Sequence, residues 1–245
     1  MTTKYYYFPD RSDGFGAQFQ TLLCTILFCE YNKLNFVYKG IKNIEHNYEN
    51  DPKYIDEIDE LMNIKNCYNY ENTIDKTNII MLELPFNFIK IFNQNINKYL
   101  CSQALSNFKN NFWKNKNKNV FNNGKKNVAV HIRRYCTIFD IGYNRPNIPL
   151  EYYLNIMNII RKKHNNDLLF HIYSLGSEEN FKKLENSDVI LHINENISKT
   201  FTELVAADFL IMSASSLSYV AAFLSDGEIY YLPFWHPPKN DWIVC

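Results

Sequence analysis

From residue 127 onward, short apolar runs alternate with amphipathic segments, and this alternation constrains the fold more than any other feature of the chain. Asn127–Ile132, Leu168–Tyr173, Val189–His192, Phe209–Ser213 and Ile229–Leu232 have the length and composition of strands. Between them, Pro149–Lys163, Glu178–Glu185, Lys199–Ala207 and Ser216–Leu224 predict helices, with Pro149 suited to a first turn and Ser198 a candidate N-cap. Strands separated by single helices pair in parallel rather than as hairpins, and the helices cover both faces of the sheet. The beginning of the chain repeats the opening of this pattern. Tyr5–Phe8 reads as a strand. Gly14–Tyr31 reads as a helix, with Leu22, Leu23, Ile26 and Leu27 at helical spacing. Leu34–Tyr38 reads as the next strand. Residues 40–75 are polar and without clear periodicity; Asn78–Leu84 predicts a strand and Phe86–Trp113 mostly helix. The expectation is an α/β chain of two Rossmann-like halves, residues 1–120 and 121–245. Lys114, Lys116 and Lys118 lie among asparagines at the junction, which reads as a solvated linker. Ligand is expected at the carboxyl ends of the strands, in the cleft between the halves.

The formal net charge is zero, without the basic excess of a nucleic-acid binder, so no nucleic-acid partner is expected. Six cysteines show no C-x-x-C pair and no Cys/His cluster, which argues against a zinc site or disulfide framework. The opening residues do not look like a signal peptide, and the apolar run Leu22–Cys29 is too short to span a bilayer. A soluble, cytoplasmic chain without a membrane span is expected. Asp56-Glu57 and Asp59-Glu60 read as an exposed helix face rather than a metal motif, and no Asp-x-Asp stands in a plausible site.

Three segments carry candidate chemistry. In Val128-Ala129-Val130-His131-Ile132-Arg133-Arg134 an apolar strand ends in two of only five arginines. A guanidinium is a planar fork of donors suited to a diphosphate and keeps its charge. A surface salt-bridge cluster would use the same residues. His131 and Arg133 leave the strand on one face and Arg134 on the other. His131 alone could equally be a packed core histidine. In the second segment the strand after Asp208 runs into Ser213-Ala214-Ser215-Ser216, where a helix begins. Backbone N–H groups and hydroxyls at a helix start bind anions, although plain capping also employs serine. In the third, Asp13-Gly14-Phe15-Gly16-Ala17-Gln18 places two of seven glycines between a strand and a helix, either for a close ligand or for a tight turn. It is not a complete G-x-G-x-x-G, which argues against a nicotinamide dehydrogenase.

Taken together, these segments resemble the superfamily of α1,2-, α1,6- and protein O-fucosyltransferases, and most closely the α1,2 group. Val130–Arg134 resembles the family's H-x-R-R motif. Met212–Leu224 resembles its S-x-S-[ST]-F-S-W-W-A-A-W-L block, and Gly14–Gln18 its G-x-G-N-Q loop. Asn147–Tyr153 fits a helix start that follows H-x-R-R. The three motifs stand in the family's order. This chain departs from the pattern at Tyr135-Cys136, where Gly-Asp is usual, at Ala17, and at Tyr219-Val220 in place of paired tryptophans.

The resemblance implies a compact GT-B-type glycosyltransferase. It implies inverting, metal-independent transfer of fucose from GDP-fucose to a glycan acceptor, with no further cofactor. Arg133 would contact the β-phosphate, His131 and Asp208 the guanine, and Ser213, Ser215 and Ser216 the phosphate oxygens. Gly14, Phe15, Gly16 and Gln18 would form a further part of the donor site. Inversion needs a base for the acceptor hydroxyl; Asp140 is the candidate and Asp13 its rival. The same residues would serve an α1,6- or protein O-fucosyltransferase, another nucleotide-sugar transferase, or a module that binds nucleotide sugar or carbohydrate without catalysis. Hydrolysis of the donor by water separates enzyme from module.

Overall fold

The computed structural model of the chain describes residues 3–47, 50–70, 76–82, 85–134, 147–164 and 167–245. They form two compact units, Met1–Asn117 and Lys118–Cys245.

In the first unit the order is β1 (Tyr5–Tyr7), α1 (Phe15–Tyr31), β2 (Asn35–Tyr38), α2 (Tyr54–Met62), β3 (Asn69–Tyr70), β4 (Ile79–Met81), α3 (Pro85–Gln94), α4 (Ile96–Leu100) and α5 (Gln103–Trp113). The sheet runs β3-β2-β1-β4, with every pair parallel. Leu23, Ile26 and Leu27 recur along α1 at the spacing that keeps them on one side of a helix, and all three are buried. The aromatic pairs Phe19–Phe108 and Phe92–Tyr99 tie α1 and the α3–α5 layer into one core. Burying such rings supplies hydrophobic area and specific ring contacts together.

Two expectations about this unit need correction. Asp59 is not on an exposed face: it is buried, accepts a hydrogen bond from the Tyr38 hydroxyl, and pairs with Lys65 at 2.5 Å. A carboxylate survives burial only with such partners. Lys116 is not a solvated linker residue either. Its ammonium lies 3.8 Å from the Phe112 ring centre and donates to the Leu61 carbonyl, and burial lowers its pKa to about 8.

The second unit contains β5 (Lys126–Ile132), α6 (Leu150–His164), β6 (Leu168–Ser174), β7 (Val189–Ile193), α7 (Ile197–Ala206), β8 (Phe209–Ile211), α8 (Ser216–Leu224), β9 (Glu228–Tyr231) and β10 (Ile243–Val244). All strands are parallel, in the order β10-β9-β8-β5-β6-β7. Val128, Val130 and Ile132 of β5 pack with Tyr153, Ile156, Met157 and Ile160 of α6 in one buried cluster. The alternate residues, His131 among them, take the other face.

Three local expectations differ from what forms. Glu178–Leu184 is a 3-10 helix rather than an α-helix. The cap of α7 is Asn196, whose side chain accepts from the Ser198 and Lys199 N–H groups, so Ser198 lies inside the helix. Asparagine ranks with serine as a cap, and the choice between neighbours depends on where the strand before it ends. The two-residue strand β10 was not anticipated; a pair of edge residues carries no periodic signal.

Candidate active site

The strand order makes one place in the second sheet special. From β5 the chain winds outward through β6 and β7, then returns to the far side of β5 and winds through β8, β9 and β10. The carboxyl ends of β5 and β8 therefore flank the topological switch point, where open α/β sheets bind ligands. Two of the sequence motifs end there.

After β5 the backbone N–H of Arg133 donates to the Ser213 hydroxyl at 3.1 Å, so the Arg133 turn and the turn after β8 are tied directly together. The Ser213 oxygen also shares a hydrogen bond with the Tyr153 hydroxyl of α6 at 3.0 Å. Ser218 closes the turn by donating to the Ser213 carbonyl at 3.2 Å. Ser213 is 1% exposed. With its hydroxyl bound on both sides, Ser213 fixes the turn rather than contacting a donor. Tyr153 was missed at the sequence level, because one Tyr among 18 carries no signal of its own.

Ser215 and Ser216 open α8. Ser215 has extended backbone and caps the helix, accepting from the Leu217 N–H at 3.3 Å. The first turn of a helix directs its remaining N–H groups and the positive end of its dipole outward. That helix start follows directly on the Ser213 turn to which the Arg133 backbone is bonded.

His131 is buried, and its Nδ1 has no hydrogen-bonding partner among the described residues. Desolvation, reinforced by the nearby Arg133 charge, lowers its pKa to about 3. The ring is therefore neutral at working pH, with an unsatisfied nitrogen. Leaving such an atom buried costs about 1–3 kcal/mol, a cost that a ligand hydrogen bond would relieve. Arg134 leaves on the opposite face, as the alternation requires. It donates to the Ile148 carbonyl at 2.9 Å and lies over Phe181 at 5.5 Å.

Asp208 is not brought to this place. It stands before β8, at the amino end of the sheet, where its carboxylate accepts from the Asn127 N–H at 2.8 Å. The pairing of Val128 with Phe209 fixes that level. From Asn127 to Arg133 the strand rises roughly 20 Å at about 3.3 Å per residue, too far for one base to be read at both ends.

The glycine loop lies in the first unit. Gly14 is the N-terminal flank of α1, and a Cβ there would meet the His46 ring at 2.4 Å, so any larger residue would force that ring to shift. Gly16 lies within the first turn of α1. Phe15 is buried and stacked on Phe19 at 5.4 Å. Gln18 is buried and donates to the carbonyls of Asp13 and Asn43 at 2.6 and 2.8 Å. The Phe15 and Gln18 side chains thus hold the loop together, contrary to the expectation that they contact a donor. Asp13 receives Nε and Nη2 of Arg11. Asp140, together with Tyr135 and Cys136, lies outside the described residues.

Comparison with known proteins agrees with this reading of the fold and the motifs. The sequence profile described as glycosyl transferase family 11 matches residues 32–240. The chain belongs to glycosyl transferase family 11. It is a glycosyltransferase of the fucosyltransferase superfamily. Among solved structures, the E. coli heptosyltransferase WaaC with ADP aligns at TM-score 0.52 and 10% identity, covering 99% of this chain and 93% of that one. That likeness, with the two parallel sheets, identifies the fold as GT-B. The fucosyltransferase NodZ from Bradyrhizobium aligns at TM-score 0.44 and 12% identity over 97% of both chains. NodZ alpha-1,6-fucosyltransferase co-crystallised with GDP aligns at TM-score 0.45 and 11% identity, over 92% of this chain and 93% of that one. A search of curated proteins gave no match. No helix among the described residues is long and apolar enough to cross a membrane.

Proposed function

We propose that this family 11 glycosyltransferase transfers fucose from GDP-fucose to a glycan hydroxyl, forming an α1,2 linkage with inversion and without a metal ion. The observation that carries the reading is the meeting of Arg133, the α8 N-terminus and the unsatisfied His131 ring at the switch point of the second sheet. In the reaction the acceptor oxygen attacks C1 of fucose while the bond from C1 to the phosphate oxygen breaks. The acceptor proton passes to a base and GDP departs. Negative charge grows on the β-phosphate as that bond lengthens. Arg133 is the catalytic residue that stabilises it, and the α8 N–H groups add to it. The Arg133 guanidinium and the α8 dipole supply the neutralisation that a divalent ion provides elsewhere. The neutral His131 ring offers its free nitrogen to the guanine.

In this reading the second unit is the nucleotide-sugar half and the first the acceptor half. Asp140 remains the proposed base, because Asp13 is already held by two nitrogens of Arg11.

Thermal melting with nucleotides tests the donor. GDP and GDP-fucose should raise the melting temperature by mass action, and UDP-galactose should not; transfer to lactose should persist in excess EDTA. A larger shift with UDP-galactose would sink the guanine assignment. Activity lost in EDTA and restored by Mn²⁺ would overturn the metal-free mechanism.

A further inference from the structure

The face of the second sheet that carries His131 also carries a polar cluster that the donor reading leaves unused. His131 of β5, Tyr173 of β6 and His192 of β7 stand side by side in register, and His171 precedes Tyr173 on the same face. The helix α7 packs against β5 and reaches this row. The Tyr173 hydroxyl donates to Glu203 of α7 at 2.6 Å, and the Tyr173 ring stacks on His192 at 4.7 Å. Glu195, in the turn between β7 and α7, pairs with Lys199 in the first turn of α7 and stands 3.7 Å from Nδ1 of His192.

The protons of the cluster follow by elimination. The Asn127 side-chain nitrogen donates to the Lys125 carbonyl at 2.9 Å, and a carbonyl can only accept, so the other amide atom is the oxygen. That oxygen lies 3.1 Å from Nε2 of His171, which therefore carries a proton. In the neutral ring Nδ1 of His171 is then an acceptor. It lies 3.0 Å from Nε2 of His192, so His192 donates that bond. A first proton taken up by the pair goes to Nδ1 of His192, opposite the Glu195 carboxylate, and disturbs nothing. A second proton has only Nδ1 of His171 to go to. There it sets two donors against each other and two cations side by side. His171 is buried, and burial together with the charges of His192 and Lys199 lowers its pKa to about 4. Burial also lowers the pKa of His192, against the pull of Glu203 and Glu195. The titratable groups facing the pair are thus Tyr173 from β6, Glu195 from the turn, and Lys199 and Glu203 from α7. The Asp208 carboxylate is taken by the Asn127 N–H, and the Phe121 ring covers His171 at 4.6 Å.

We propose that the His171–His192 bond is an acid-sensitive clasp: near neutral pH it seats the start of α7 on the sheet, and a second proton opens it and weakens nucleotide binding. The effect on the nucleotide rests on the GDP-fucose reading, through the packing of α7 against α8, whose start faces the proposed phosphate. By linkage, a histidine whose pKa is held down in the closed state contributes stability that is full above its ordinary value of 6.5 and is lost as the pH falls towards 4.

Hydrogen exchange of the α7 amides and calorimetric titration with GDP, each at pH 7 and pH 5, test the two parts. In the wild type the opening constant of α7, corrected for the intrinsic exchange rate, should rise roughly tenfold at the lower pH. His171→Asn keeps an oxygen that can accept from His192 and has no site to protonate, so its opening constant should change less than about twofold. If that variant does not fold, His192→Gln takes its place: its amide can turn its oxygen to a protonated His171, and the rise should shrink likewise. An equal rise in wild type and variant overturns the clasp, since the proton would then be taken up elsewhere, for instance by the buried His236. GDP affinity should fall several-fold further in the wild type than in the variant; protonation of the nucleotide itself is common to both and cancels. Equal falls overturn the link to the donor site. If GDP does not bind the wild type even at pH 7, the donor reading fails, and the exchange measurement still decides the clasp.

Discussion

The two ends of the second sheet are both polar, and in sequence they look alike. At the amino end, the Asp208 carboxylate takes the Asn127 N–H, and the Asn123 and Asn127 side-chain amides bond to each other at 2.7 Å. The His171 ring adds a bond to the Asn127 side-chain oxygen at 3.1 Å. Gly227 passes so close beneath that a Cβ would meet the Ala207 carbonyl oxygen at 2.4 Å. At the carboxyl end, the Ser213 hydroxyl is consumed in joining the two turns, and beside them lie the start of α8 and a buried His131 nitrogen without a hydrogen-bonding partner among the described residues. Polar residues that complete one another build a fold. Polar residues held in place with bonding capacity to spare build a site.

The largest expected effect contrasts the two arginines that close β5. Arg133→Lys keeps the charge but loses the planar fork, and should lower kcat by roughly 10²–10³ because the lost contact strengthens in the transition state. Arg134→Lys should leave kcat within a few-fold and lower the melting temperature instead, since Arg134 serves the Ile148 carbonyl and the Phe181 ring. Kinetics on both variants, with folding checked by circular dichroism, decide the matter. A dead Arg134→Lys beside an active Arg133→Lys would reverse the two faces of the strand.

A smaller effect sharpens the carboxyl end itself. Ser215→Ala removes the cap of α8 and should cost about 1 kcal/mol of stability. Because that helix start also faces the proposed phosphate, GDP affinity should weaken several-fold in calorimetric titration. A stability loss with unchanged GDP affinity would make the serine turn purely structural.

The alternation of runs made most of the second sheet legible. Strand spacing after residue 127 follows from side chains buried on both faces of a parallel sheet, and the start of α8 at Ser216 was read to the residue. The opposite faces of Arg133 and Arg134 followed from the strand period alone. What stayed hidden depended on tertiary partners. The stretch around α2 has one buried carboxylate, Asp59, whose place is set by Tyr38 and Lys65 rather than by any pattern of its own. Gln18 and Phe15 sit in a motif with a functional resemblance, yet their side chains turn inward to the loop carbonyls and the core. The His171–His192 bond gave no signal, because residues on neighbouring strands meet only through the pairing of β6 with β7. Asp208 was misplaced because a residue at the head of a strand and one at its tail are both "strand ends" in sequence.

The smallest expected effect is therefore the one at Asp208. Asp208→Asn retains an oxygen that can accept the Asn127 N–H, so the bond at the amino end survives in weaker, uncharged form. The stability change should stay below about 1 kcal/mol. The melting shift produced by GDP should match that of the wild type, because the substituted group lies a strand's length from Arg133. If Asp208 read the guanine, the amide would present a donor where the base offers N–H groups, and the GDP shift would collapse while the unliganded protein melted normally. That pattern would break the distinction between the two ends of the sheet. An unchanged shift, set beside the loss in Ser215→Ala, would locate donor binding at the carboxyl end alone.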